Sequence, residues 1–112
     1  MIPTHYNCPC NESCPLNHAM AMIGGKWKVQ ILCSLNSAGV LRYNALQKKL
    51  DGVSNTVLAK ALKELEADGL VKRKEILEVP IRVEYSTTEK CDGLIPALEA
   101  LSDWAEKYYD EK

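Results

Sequence analysis

The stretch HYNCPCNESCPLNH, residues 5–18, holds three of the chain's five cysteines and both of its histidines. Two chemistries suit such a cluster. Thiolates and imidazoles can gather zinc, but structural zinc sites draw on two close pairs, commonly Cys-x-x-Cys. Cys8 and Cys10 are separated by one residue and Cys14 follows after three more, a poor match, so no metal is expected. The second chemistry is thiol oxidation. Cys14 stands directly before Pro15, and proline opens helices because the first-turn N–H has no partner in any case. A helix N-terminus stabilises a thiolate and makes it more nucleophilic. Cys14 is therefore the redox-sensing candidate, with Cys8 and Cys10 as resolving partners and Cys91 a less direct one. The plain alternative is a Cys14 that merely packs at an interface. Cys33 falls inside an apolar helical pattern and reads as a small core residue.

No other constellation suggests chemistry. The chain has no Ser/His/Asp set, no glycine-rich phosphate loop and no paired carboxylates in a cleft motif, so neither catalysis nor a cofactor is expected. An odd number of cysteines argues against a secreted disulfide framework, and the thiols are expected to be reduced at rest. The start shows no cationic segment followed by an apolar one, and no apolar run reaches the ~18 residues of a membrane span. A cytoplasmic protein with no membrane partner is the expectation.

The 112 residues suit one domain, and a composition 46% apolar and 26% charged is that of a globular one. The net charge of −1 hides an asymmetry. Residues 42–74 carry eight cations against four anions, whereas 99–112 carry two against five. A polyanion responds to the local field more than to the total.

The elements that must carry these charges follow from periodicity. Residues 1–14 show turn-formers without a period and read as an arm, and 15–112 as the folded domain. A first helix opens at Pro15 with Leu16, Ala19, Met20 and Ile23 on one face, and Gly24-Gly25 ends it. A second aligns Trp27, Ile31, Leu32 and Leu35 up to Gly39. "VLRY" is a strand fragment at most, and a short third helix turns Ala45, Leu46 and Leu50 inward. Ser54 then caps a fourth helix, in which Leu58, Ala61, Leu62 and Leu65 share one face. At about 100° per residue, Thr56, Lys60 and Lys63 point the other way. Gly69 is placed for a left-handed cap. Two strand-like segments flank "EVP" as a hairpin, with Pro80 near its tip. A last helix starts after Thr87 or Thr88, with Pro96 expected to kink it or weaken its first turns.

The result is a mainly α fold with a small β-hairpin. Helix, tight turn, helix with a polar outer face, then a basic hairpin is the order of a winged helix-turn-helix. An α-helix fits the major groove of double-stranded DNA, where each base pair shows a distinct donor and acceptor pattern. Asn55 and Thr56 can reach base edges, and Lys60 and Lys63 bases or phosphates. Ser54 and the helix N-terminus favour a nearby phosphate. Arg42 and Tyr43 would hold the flanking backbone, and the wing cations Lys74 and Arg82 the adjacent minor groove. Taken one at a time, such lysines equally suit an ordinary solvated helix face.

These residues resemble the HxlR-type transcriptional regulators, a winged-helix family in the MarR-like group. The resemblance rests on CPLNHAMAMIGGKW (14–27), LRYNALQKKLDGVSNTVLAKALKELEADGLVKRK (41–74), EVPIRVEYSTTE (78–89) and LIPALEALSDWAE (94–106). It covers nearly all of the chain after residue 13. Three departures stand out. Thr56 replaces the family's Lys or Arg at the second helix position, Leu58-Ala59 stands where "LT" is frequent, and Cys91 occupies a usual glycine position. The resemblance implies a homodimer, with the last helix as the dimer surface, acting on an inverted repeat whose half-sites lie roughly 34 Å apart. It also implies that Cys14 matches a recurrent cysteine which in some members meets an electrophile or oxidant. Two other functions stay open: a small-molecule-gated regulator with inert thiols, and a winged helix that binds only protein.

Overall fold

The structure is a computed structural model and describes residues 14–109. Its elements run α1 (Pro15–Ile23), α2 (Lys28–Ala38), β1 (Leu41–Arg42), α3 (Tyr43–Lys49), α4 (Asn55–Ala67), β2 (Val71–Ile76), β3 (Arg82–Thr87) and α5 (Glu89–Tyr109). The expected arm falls outside the described residues, apart from Cys14.

α4 has the most explicit local instructions. The Ser54 hydroxyl accepts a hydrogen bond from the Val57 amide at 3.1 Å, which satisfies one of the donors left over at any helix start. At the other end, Leu70 N donates to Leu65 O at 2.9 Å and Gly69 N to Glu66 O at 3.0 Å. That pairing is a Schellman closure, and it needs a left-handed residue just past the helix. Gly69 supplies it with a φ of 78°. Leu65 and Leu70 both enter the core, so the turn is fixed by packing as well.

The core lies between α2, α3, α4 and the sheet. Ile31, Leu32 and Leu35 meet Leu46, Leu58, Leu62 and Leu65, and all seven are buried. Tyr85 closes the sheet side and Cys91 the start of α5. Each fully buried aliphatic side chain contributes about 1.5–3 kcal/mol relative to exposure.

The strand fragment at Leu41–Arg42 does more than expected. It pairs antiparallel with β3, Leu41 opposite Tyr85 and Arg42 opposite Glu84, and gives a three-stranded sheet in the order β1-β3-β2. Residues directly opposite one another point to the same face. One face therefore carries Leu41, Tyr85 and Val71 toward the core, and the other carries Arg42, Glu84 and Lys74.

Several helix faces differ from expectation. α1 turns Ala19, Met22 and Ile23 inward and leaves Leu16 and Met20 exposed, so its stripe is rotated from the one read in sequence. Ala45 is exposed, because Leu46 and Leu50 supply the inward pair. Cys33 is exposed rather than in the core; α2 buries Ile31, Leu32 and Leu35, and the helical rotation carries Cys33 off that stripe. α5 runs uninterrupted through Pro96. Its Leu94, Ile95 and Leu98 pack on the core, while Leu101, Trp104, Tyr108 and Tyr109 are exposed.

Leu62 is central to this packing. Leu62→Ala is expected to lower unfolding free energy by about 2–5 kcal/mol in urea titration, whereas Leu101→Ala, at an exposed site, should change it by less than about 0.5 kcal/mol in the isolated chain.

Candidate nucleic-acid interface

With Leu58, Ala61, Leu62 and Leu65 buried, the remaining face of α4 is committed to the outside. Asn55, Thr56, Lys60 and Lys63 are all exposed. The two lysines make no ion pair among the described residues, and the same holds for Arg42 and Lys74. A carboxylate on this helix is handled differently. Glu64 is bridged by Lys28 of α2 at 2.8 Å. The hydrogen bond and charge of Lys28 hold its carboxyl below the usual range, so it stays ionised but compensated.

Tyr43 and Asn55 turn out to form a joint. The Tyr43 hydroxyl donates to Asn55 O at 3.1 Å and reaches Asn55 Oδ1 at 3.3 Å, and Gln47 Nε2 donates to the same Oδ1 at 2.9 Å. Burial raises the Tyr43 phenol, and neighbouring Tyr85 adds to the effect, so the donating proton is retained. Tyr43 therefore sets the angle between α3 and the start of α4. The amide N–H groups of Asn55 have no partner among the described residues.

The wing cations divide by strand face. Arg42 and Lys74 lie on either side of Glu84 in register. Arg82 differs from Arg42 and Lys74 in being ion-paired. Its Nε donates to Glu84 Oε2 at 3.0 Å, and its Nη1 to Glu78 Oε1. Two carboxylates hold it, and only part of the side chain meets solvent.

Arg73 was not singled out in sequence. It lies two residues beyond Val71 and therefore on the core-side face of β2, turned toward α4 rather than with Lys72 and Lys74. It lines a cleft of about 350 Å³ with Tyr43, Leu62, Lys63, Glu66 and Tyr85. Tyr85, and then Glu75, hold its proton more firmly than usual. The alternation within VKRKE, read from the buried Val71, was the available signal.

Cys14 is the N-cap of α1 and is buried, as its position before Pro15 suggested. It is disulfide-bonded, where a reduced thiol was expected; Cys8 and Cys10 lie outside the described residues. Cys33 and Cys91 are free thiols. Burial, then Asp92 and Cys33, pushes the Cys91 thiol up. Among the described residues no cluster of ligating side chains could hold a metal, and no helix is long and apolar enough to cross a membrane.

A capped outward helix, a preceding helix joined to it by hydrogen bonds and a three-stranded wing define a winged helix-turn-helix DNA-binding protein. The sequence model of the HxlR-like helix-turn-helix family matches residues 22–112, and the chain belongs to that family. An uncharacterized HTH-type transcriptional regulator of Halalkalibacterium halodurans is 43% identical over 96 residues, covering 86% of this chain and 85% of the relative. The oxidized form of the redox regulator HypR superposes with a TM-score of 0.79 at 35% identity, covering 88% of this chain and all of that one. The reduced form of the transcriptional regulator YodB from B. subtilis gives 0.78 at 30% identity, covering 87% and 95%. The chain is thus a transcriptional regulator, like its family and neighbours, which are not enzymes.

The raised Cys91 thiol has a consequence for stability. Below the ordinary thiol range both folded and unfolded chains keep the proton, and stability is unaffected by pH. As pH climbs past that range the unfolded chain ionises first, and stability falls until the folded thiol ionises too. Denaturation of the wild type between pH 7 and 10 should show this decline, and Cys91→Ala should show less of it; identical profiles would contradict the assignment.

Proposed function

We propose that the chain acts as a homodimer on an inverted-repeat operator, reading it with α4 and gripping it with the wing, and that oxidation at Cys14 changes the grip. The observation that carries the reading is the outward face of α4, where Thr56, Lys60 and Lys63 follow a capped N-terminus and neither lysine forms an ion pair with a described carboxylate. Thr56 and the Asn55 amide are short enough to meet base edges. Lys60, Lys63, Arg42 and Lys74 supply phosphate contacts, with Ser54 and the first-turn amides of α4 favouring one more. Arg82 serves as a brace within the wing.

Dimerisation is supported by apolar surface that one chain leaves uncovered. Leu101, Trp104, Tyr108 and Tyr109 of α5 and Leu16 and Met20 of α1 are all more than half exposed, and contiguous patches of this kind mark interaction sites. Trp104 and Tyr108 are in tilted ring contact, centroids 5.7 Å apart. Oxidant control is supported by the Cys14 disulfide at the first turn of α1 and by likeness to a named redox regulator and to a diamide-treated form of YodB.

A second reading has one observation behind it. Ala19, Met22, Ile23, Leu70, Lys90 and Leu94 line an apolar pocket of about 160 Å³ between α1, α5 and the start of β2. A small ligand there would gate the same helices with the thiols inert.

The experiments separate these readings. Binding to a duplex selected from a random pool should weaken steeply with salt, and Lys60→Ala and Lys63→Ala should each lower the slope of log K against log salt by about one per half-site. Retention on DNA that ignores salt would point to a protein-interaction module instead. After reduction with dithiothreitol and its removal, diamide should alter DNA affinity of the wild type and leave Cys14→Ser unaffected; the same response in both would rule out Cys14 as the sensor.

A further inference from the structure

The segment joining β2 to β3, residues 77–81, carries no cation and three large apolar side chains. Leu77 is 81% exposed, Val79 100% and Ile81 62%. Single exposed aliphatics are ordinary, but three within five residues at the end of a hairpin are not. The one charge on the tip, Glu78, is bound by Arg82 Nη1, and the other carboxylate of Arg82, Glu84, lies back along β3. The arginine expected to meet DNA is thus spent on neutralising the carboxylate that would repel it. What remains at the tip is apolar and uncharged.

We propose that the wing tip is an apolar wedge for the minor groove, with Leu77, Val79 and Ile81 packing against sugar walls and base edges, and that Arg82 acts by cancelling Glu78 rather than by touching phosphate. The inference rests on the DNA-binding reading above. Continuity with that surface favours this occupant: β2 follows α4 after only three residues, and Arg73 of β2 shares a cleft with Lys63 of α4. Apolar side chains pressed into base steps are an established minor-groove device, and the guanine amino group, which protrudes into that groove only at G·C pairs, obstructs such an approach there.

The chosen duplex is one selected by the wild-type protein from a random pool. The double variant Leu77→Ser/Val79→Ser, changed only at exposed positions, should bind it about tenfold more weakly with an unaltered salt slope. Lys60→Ala, by contrast, lowers the slope. Replacing G·C by inosine·C in the flanks removes only the minor-groove amino group. The wild type should bind the inosine duplex more tightly, and the double variant should lose that preference. Undiminished affinity of the double variant, or a loss accompanied by a changed slope, overturns the wedge. So does a double variant that sediments as a monomer where the wild type is a dimer, which assigns the tip to contact between copies. If the wild type selects no duplex at all, it is the underlying DNA reading that fails.

Discussion

The burial of one side of α4 governs everything else in this chain. Leu58, Ala61, Leu62 and Leu65 fill the centre of the core, and rotating the helix to hide a lysine would bring at least one of them into water. Losing one such leucine costs several times more than any single surface charge interaction supplies. The outward display of Thr56, Lys60 and Lys63 is therefore a consequence of packing. The Ser54 cap and the Gly69 closure then fix where that display begins and ends.

The same helix is wired to α5 by polar contacts. The Thr88 hydroxyl donates to Gly69 O, Thr88 N donates to Leu70 O at 3.2 Å, and Lys90 Nζ donates to Asp68 O at 2.6 Å. The turn that ends the reading helix is thus also the start of the helix with the uncovered apolar surface. In the proposed dimer, a change in how two copies pack along α5 would have a short path to α4. Cys14 stands at the opposite end of α1 from the buried Ile23.

Much of this was legible in the chain before folding. The order of elements, the cap, the left-handed glycine and the inward stripe of α4 are all local or periodic signals, and they read correctly. Relations between distant residues were less visible. The two-residue strand at Leu41–Arg42 acquires meaning only by pairing with β3. The binding of Arg82 by Glu78 and Glu84, and the bond from the Tyr43 hydroxyl to Asn55, join residues that local patterns do not connect. Cys33 reads as core because a short helix tolerates two plausible stripes, and only α2's packing chooses between them. Local rules place a side chain on a face, and tertiary contacts decide whether that side chain remains available.

Backbone amide shifts of the labelled protein titrated with a selected duplex give the most direct view of the central claim. The account predicts that the largest perturbations fall on residues 54–63, 42–43 and the wing, with the buried stripe of α4 and the last two turns of α5 little affected. Perturbations concentrated on 101–109, with the amides of Thr56, Lys60 and Lys63 unmoved, would contradict it.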